Sequence, residues 1–311
     1  MPSDRRSFLL GRRAPPAQQF RDALRRAVTG TVVAGTAGNA TILIAADAGD
    51  IVTARALCVR HGVKMALRVA DASATTAASG AQPGVAQTTA VLWVDVQRLD
   101  TLQPVSPQAQ GVALWRVGPG CRLGDLARAG LTQFEALAPD TLLCTWLADP
   151  HDHIAPGQCV DTGLMGADML FADGTIETLG PFGAAGTRPL RSTRVQSMVP
   201  ALFQLAQGPD ADLLARQPVW HAEGRLDALT PRHPDDLNLA QLFLGSRGRY
   251  AWMLQCLMRA CPAPGTHPIA SSAAAVPSAC VAAAQRLNQG LQQVLDSTGV
   301  LQGSRAAPMT E

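Results

Sequence analysis

The sequence is short of lysine, aromatic residues and net charge. Lys64 is the single lysine, so the basic residues are almost entirely arginine, and the formal net charge is only +2. So small a charge argues against the broad basic surface with which proteins bind nucleic acids, and we expect no nucleic-acid partner. Hydrophobic residues make up 47% of the 311 positions, a composition typical of a globular protein with a substantial core.

Metal and disulfide motifs are also missing. The seven cysteines include no Cys-x-x-Cys pair and are irregularly spaced, so we expect buried, reduced thiols. Cys121 is weighed as a reactive thiol, because it follows a glycine turn at the start of a predicted helix, but a structural role is favoured. His151 and His153 lie in a polar turn without a third histidine nearby, so we expect a solvated loop and no metal site.

Long hydrophobic runs are absent as well. No segment is apolar enough to cross a bilayer, so no membrane span is expected. Residues 5–10, RRSFLL, match the core of a twin-arginine export signal, but arginines and prolines follow where such a signal needs an apolar region. We therefore expect a cytoplasmic protein, with export as the alternative.

A strand–helix–strand pattern opens the chain after an arginine-rich arm and a predicted short helix over residues 17–28. Residues 41–46 are β-branched and apolar, which predicts a buried strand. A helix capped by Asp50 and ended by Gly62 follows, and residues 63–69 predict the next strand. We expect this βαβ unit to have the right-handed crossover of a sheet covered by helices.

The remainder predicts a strand-rich middle closed by helices. Its expected elements are a loop at 70–89, strands at 90–96 and 112–117, a helix at 123–129, a hairpin turning at Asp173-Gly174, a helix at 193–207, a short helix at 237–244, a strand at 249–258, a helix at 278–296 and a frayed last dozen residues. This order predicts an α+β or α/β architecture of two packed lobes.

Four segments of the chain share the order of a known flavoprotein domain. They are the βαβ unit, GPGCRLGDL at 118–126, MLFADGTI at 169–176 and LNLAQLFLGSRG at 237–248. Together they resemble the FAD-binding PCMH-type domain of the vanillyl-alcohol-oxidase superfamily, nearest the D-lactate, glycolate and D-2-hydroxyglutarate dehydrogenases. The resemblance implies an α+β, two-lobed PCMH-type FAD-binding fold, with a small βαβ lobe and a larger mixed-sheet lobe.

The domain boundaries expected from this resemblance divide the chain into three parts. Residues 1–30 form an arginine-rich arm and helix, and residues 263–311 a proline-rich loop, a helix and a tail. Between them, residues 31–262 form the FAD-binding domain, with lobes at about 31–100 and 101–262.

The resemblance also places the cofactor, FAD, on two loops and a turn. The first loop follows Arg68, where relatives carry glycines that let backbone N–H groups approach the diphosphate. Here the first three of those glycines are replaced, and Asp71 adds a negative charge where the diphosphate would lie, which is unfavourable. The positions that match this loop are Ala70, Asp71, Ala72, Ser73, Ala74, Thr75 and Gly80. The second loop matches Thr145 and Trp146, and the GSRG turn matches Gly245 and Ser246.

Two functions follow from the resemblance. The first is an FAD-binding oxidoreductase-like protein, a flavin subunit that oxidises a 2-hydroxy acid. Because the chain stops 63 residues after the GSRG segment, a partner chain would supply the substrate or cap domain. His221 is a weak catalytic candidate, since it precedes a segment that lies near the flavin in relatives. The alternative is a degenerate, non-catalytic relative with an interaction or regulatory role, which the altered loops favour.

Overall fold

Two five-stranded sheets divide the protein into a small and a large lobe. The computed structural model describes residues 15–35, 40–68, 90–105, 113–148, 154–183, 186, 188–233, 236–261, 276–296 and 298–303. Within these residues the chain is mixed α+β, as the sequence predicts.

The small lobe combines two helices with a mainly parallel sheet. Its elements are α1 (Pro16–Ala27), β1 (Thr31–Ala34), β2 (Ala40–Ile44), α2 (Ala48–His61), β3 (Lys64–Leu67), β4 (Val91–Asp95) and β10 (Leu301–Gln302). The strand order is β1-β2-β4-β3-β10; β1 is antiparallel to β2 and the other pairs are parallel. The predicted βαβ unit is therefore present as β2-α2-β3, with β4 inserted between its strands.

The start of α2 differs from the prediction. Asp47, not Asp50, is the N-cap, and its Oδ1 accepts a hydrogen bond of 2.9 Å from the Asp50 backbone N–H. Asp50 lies inside the first turn, where it is buried and its carboxylate accepts other backbone hydrogen bonds. Gly62 ends the helix with φ of +65°, as predicted, because glycine adopts this left-handed conformation without strain.

The end of the chain is also more ordered than predicted. Within the expected frayed tail, β10 pairs in parallel with β3, and the Met65 N–H donates to Val300 O at 2.9 Å. Val300 and Leu301 are buried in the small-lobe core. Two apolar residues therefore anchor the described part of a segment that was expected to be frayed.

The large lobe is built on an antiparallel sheet with strand order β5-β6-β9-β7-β8. Its helices and strands are β5 (Leu102–Val105), β6 (Leu114–Val117), α3 (Leu123–Arg128), α4 (Leu143–Ala148), β7 (Leu164–Phe171), β8 (Ile176–Leu179), α5 (Thr193–Ala206), α6 (Pro209–Ala215), β9 (Ala251–Arg259) and α7 (Ser278–Leu295). Short 3-10 helices at Thr132–Phe134, Cys159–Thr162, Leu226–Leu229 and Leu239–Phe243 connect them. The predicted hairpin joins β7 and β8 at Gly174, whose φ is +94°.

The amphipathic pattern of α7 explains where the core of the large lobe lies. Its buried positions Cys280, Ala283, Leu287 and Leu291 follow helical spacing and join the main core cluster. Gly290 lets a second helix approach closely, because a Cβ there would lie 2.8 Å from a methyl group of Leu205 in α5. No helix among the described residues is long and apolar enough to cross a membrane.

Candidate cofactor cleft between the lobes

The cleft lies where the carboxyl ends of β3 and β4 meet the large lobe. Leu67 ends β3 and Val96 follows β4, and both line a cavity whose other walls come from the large lobe. In sheets of parallel strands, ligands bind in the crevice outside the carboxyl ends of the strands. The position of these strand ends therefore makes this cleft the candidate ligand-binding site.

The glycine turn after β6 brings the two lobes into contact. A Cβ at Gly120 would lie 2.1 Å from Val96 O, and one at Gly118 would lie 2.0 Å from Leu99 O. Only glycine permits this approach of two backbones. The GPG motif therefore shapes the cleft floor rather than contacting a ligand through side chains.

The GSRG segment forms a tight turn on the large-lobe side. Gly245, Arg247 and Gly248 have φ of +72°, +53° and +74°, and Arg247 is the one non-glycine residue with positive φ among the described residues. The Gly245 N–H donates to Leu147 O in α4 at 2.9 Å, and the Ser246 hydroxyl donates to Phe243 O at 2.7 Å. These bonds fix the turn against α4, and Ser246 lines the cavity. Cofactor binding by Gly245 and Ser246 stays a prediction.

The second predicted cofactor loop is a helix. Residues 143–148 form α4, whose Cys144, Leu147 and Ala148 line the cavity. These positions lie on one helical face, so Thr145 is at its flank and Trp146 points to the opposite side. Trp146 accordingly packs edge-to-face on Phe134, with ring centroids 5.0 Å apart.

Two polar atoms of α4 are buried without a hydrogen-bond partner in the described part of the chain. They are the Thr145 hydroxyl oxygen and the Trp146 indole nitrogen. An unsatisfied buried polar atom costs about 1–3 kcal/mol. Thr145, at the flank of the cavity-lining face, lies nearer to the cavity than Trp146, although neither residue belongs to the lining.

The cavity itself is small and mostly apolar. Its volume is about 50 Å³, whereas pockets that enclose drug-sized ligands measure about 300–1,000 Å³. Its lining consists of Leu67, Val96, Pro119, Cys144, Leu147, Ala148, Phe243, Ser246, Gly248, Ala251, Trp252 and Met253. The Trp252 indole N–H donates to Gly248 O at 3.0 Å, which holds this bulky ring in the cleft. A large ligand would require the cleft to open.

An ion pair stands beside the strand ends. Arg68 follows β3 and its guanidinium lies 3.4 Å from the Asp95 carboxylate at the end of β4. Asp95 also accepts the Gln97 N–H at 3.0 Å. The pair leaves Arg68 about a quarter exposed at the start of the first predicted cofactor loop.

Several predicted site residues are not brought into the described cleft. Ala70, Asp71, Ala72, Ser73, Ala74, Thr75 and Gly80 lie outside the described residues. His151 and His153 do so too, and among the described residues no group of three metal-ligating side chains could hold an ion. His221 is described: its side chain is exposed and does not line the cavity.

The thiols are structural in character. All seven cysteines are buried and none is paired. Burial raises the pKa of Cys121 to about 11 and that of Cys144 to about 12, which makes the reactive thiolate rare at neutral pH. The Cys121 thiol donates to Thr101 O at 3.1 Å, so the helix-terminus position does not make it reactive.

A buried ion pair in the large lobe was missed by sequence reasoning. The side chains of Arg225 and Asp227 are 0% and 2% exposed and are joined by hydrogen bonds of 2.8 and 2.7 Å. Arg225 also donates to Ile154 O and Ala155 O, and Asp227 accepts the Gly157 N–H at 2.7 Å. The available signal was an arginine two residues from an aspartate, with apolar Leu226, Ala228 and Leu229 beside them.

Comparison with known proteins gives limited likeness. No protein-family model and no curated protein matches the sequence. Among solved structures, 4-ethylphenol oxidase from Gulosibacter chungangensis is 9% identical over 80% of this chain and 43% of its own, with a TM-score of 0.43. Physcomitrella patens BBE-like 1 is 13% identical over 77% and 44%, with a TM-score of 0.44. 6-hydroxy-D-nicotine oxidase from Arthrobacter nicotinovorans is 16% identical over 49% of this chain and 36% of its own, with a TM-score of 0.34. The chain spans less than half the length of each, and these TM-scores establish neither family nor activity.

Proposed function

We propose that the protein is FAD-binding and oxidoreductase-like, and that it holds the flavin in the cleft between its lobes. The observation that carries this proposal is the position of the cleft at the carboxyl ends of β3 and β4. It agrees with the motifs of the sequence, whose GPG turn, α4 segment and GSRG turn border the same cleft.

The described residues offer a flavin apolar walls and a few polar contacts. Leu147, Phe243 and Met253 supply apolar surface, and the buried Thr145 hydroxyl supplies an unsatisfied hydrogen-bonding group. Gly245 and Ser246 place backbone beside them. The predicted diphosphate loop after Arg68 belongs to the proposal, whereas Trp146 does not, because it packs on the far side of α4. When bound, the flavin supplies hydride-transfer chemistry and the protein orients it.

A second candidate function is a non-catalytic relative with an interaction or regulatory role. The small cavity and Trp252 favour it, because this indole lines the cavity and is held there by its hydrogen bond to Gly248. The two candidates differ in one measurable property, which is flavin affinity.

Reconstitution with FAD tests the proposal. We expect purified protein incubated with excess FAD and then desalted to retain the visible absorbance of bound flavin, and Thr145→Val to weaken binding. Trp252→Ala should strengthen binding if the indole restricts the cleft, whereas Trp146→Phe, on the opposite face of α4, should leave affinity unchanged. A protein that stays colourless, as Trp252→Ala also does, would contradict the flavin-binding proposal and favour the non-catalytic alternative.

The substrate and partner form the finer part of the proposal. The resemblance to the D-lactate branch suggests a 2-hydroxy acid, and a partner chain would supply the groups that handle its proton. The described cavity lining is apolar apart from Ser246 and the weakly acidic Cys144 thiol. Anaerobic bleaching of bound flavin by D-lactate, glycolate or D-2-hydroxyglutarate, with and without a co-purifying chain, tests both statements.

A further inference from the structure

The C-terminal segment crosses from one lobe to the other. Helix α7 belongs to the large-lobe core, whereas β10 completes the small-lobe sheet. Residues 296–303, of which 297 lies outside the described set, connect these two attachments, and we name them the C-terminal strap. We infer that the strap couples the two lobes and holds the cleft closed at the Leu67–Gly248 contact.

The large-lobe end of the strap is fixed by a buried carboxylate. Asp296 is 3% exposed and directly follows α7. Its Oδ1 accepts the Thr298 hydroxyl at 2.7 Å and the Gly299 N–H at 2.6 Å, and its Oδ2 accepts the Leu301 N–H at 3.3 Å. One side chain therefore sets the path of the strap from the helix to β10.

The small-lobe end is fixed by the single lysine. The Lys64 ammonium donates a hydrogen bond to Gly299 O, 235 residues away in sequence. Directly after Lys64, Met65 and Ala66 of β3 pair with β10. Leu301 packs in the small-lobe core. The strap is thus attached to the same strand, β3, whose last residue lines the cleft.

The far end of the strap returns to the large lobe. At Gly303 a Cβ would lie 3.3 Å from Nε of Arg249, which pairs with Glu223 at 2.7 Å. Arg249 follows Gly248, where a Cβ would lie 3.7 Å from Cβ of Leu67 across the cleft. The strap therefore flanks one of the points at which the two lobes meet around the cavity, opposite Leu67.

This arrangement makes opening of the cleft dependent on the strap. Moving β3 away from Gly248 would require β10 to move with it or to detach from it. Detachment exposes Val300 and Leu301 and breaks the Lys64 contact. Coupling of the lobes by the strap does not depend on which ligand the cleft binds.

Cysteine alkylation measures the opening without a cofactor. Cys144 lines the cleft, whereas Cys256 is buried in the large-lobe core, so the two thiols report local and global opening separately. We expect Asp296→Ala to raise the rate at which iodoacetamide modifies Cys144 at least about tenfold, because charge-assisted hydrogen bonds are lost. Cys256 should keep its wild-type rate, as followed by peptide mass spectrometry.

Two further variants keep the test decisive. Lys64→Met removes only the ammonium contact and should also raise the rate of Cys144 modification, by a smaller factor than Asp296→Ala. If Asp296→Ala does not fold, the Lys64→Met result alone tests the inference. Asp212→Asn is the matched control, because Asp212 is exposed and pairs with Arg216 within the α6 region. An unchanged Cys144 rate, or a parallel rise at Cys256, would overturn the inference.

Discussion

Each lobe buries an aspartate to the same degree, but the two lobes stabilise its charge differently. Asp50 in the small lobe and Asp227 in the large lobe are both 3% exposed. Asp50 accepts hydrogen bonds from the N–H groups of Thr29, Gly30 and Ala46 at 2.7–2.9 Å. Asp227 faces the fully buried guanidinium of Arg225. One charge is thus held by neutral donors and the other by an opposite charge.

The difference determines what each lobe can tolerate. Removing the charge of Asp50 leaves neutral N–H groups, which an uncharged acceptor can still partly satisfy. Removing the charge of Asp227 leaves a buried cation, which has a far higher desolvation cost. Asp50 connects segments 21 residues apart or fewer, whereas the Arg225–Asp227 pair holds a segment about 70 residues away. The large lobe is therefore the more vulnerable to a single charge change.

The largest effect expected is that of Asp227→Asn. Because Arg225 would lose its counter-ion in a fully buried position, we expect the free energy of unfolding to fall by about 3–5 kcal/mol. Urea denaturation followed by circular dichroism measures it. The control Asp212→Asn breaks an exposed pair and should cost about 0–1 kcal/mol; an Asp227→Asn effect of that size would remove the contrast between the lobes.

A smaller loss is expected for Asp50→Asn. The amide keeps one acceptor oxygen for the N–H groups of Thr29, Gly30 and Ala46 but loses the charge that strengthens these bonds. We expect a decrease of about 2–3 kcal/mol in the free energy of unfolding. The exposed small-lobe residue Asp22 provides the matched Asp→Asn control. A decrease equal to that of Asp227→Asn would show that neutral donors and a cation are equivalent here.

Acid should reduce the difference in the free energy of unfolding between the wild type and Asp50→Asn. Burial pushes the pKa of Asp50 up, but the hydrogen bonds from Ala46, Thr29 and Gly30 outweigh it and hold the pKa below the ordinary value of 3.8. The stability this provides is present above that value and is lost as pH falls through the folded-state pKa. We expect the gap between wild type and Asp50→Asn to stay constant above about pH 5 and to shrink as the pH falls below 3.8 towards the folded-state pKa, measured by urea denaturation.

The smallest effect should come from removing both charges of the buried pair. In Arg225→Met combined with Asp227→Leu, no ion remains to be desolvated, and the two side chains retain apolar volume. We expect a free energy of unfolding within about 1–2 kcal/mol of wild type, well above that of Asp227→Asn. A double variant as unstable as the single one would show that the hydrogen bonds to Ile154, Ala155 and Gly157 matter more than the charges.

Much of the fold follows from local sequence signals. The helix ended by Gly62, the βαβ unit and the Asp173-Gly174 hairpin depend on periodicity and turn chemistry within a few residues, and the structure confirms them. The cap at Asp47 was missed because Asp47 and Asp50 stand three residues apart and both suit a helix start. β10 was missed because its partner, β3, lies more than 230 residues earlier.

The cleft was less predictable because it is assembled from distant segments. The motifs indicated Gly245 and Ser246, but the sequence could not show that residues 143–148 would form a helix directed by its contacts to the GSRG turn. Trp252 lies within the strand predicted at 249–258, yet it packs in the core cluster of the small lobe although its strand belongs to the large lobe. Such contacts depend on tertiary packing, which overrides local preference.

The position of β10 has a consequence for synthesis of the protein on the ribosome. Domains generally fold as units, with N-terminal segments first as the chain emerges. Here β3 must wait for Leu301 before its open edge is covered, so the lobe that is translated first remains unfinished until late. Until then β3 is an unprotected edge of the kind that pairs with other chains, which makes this strand the point where nascent or truncated molecules would associate.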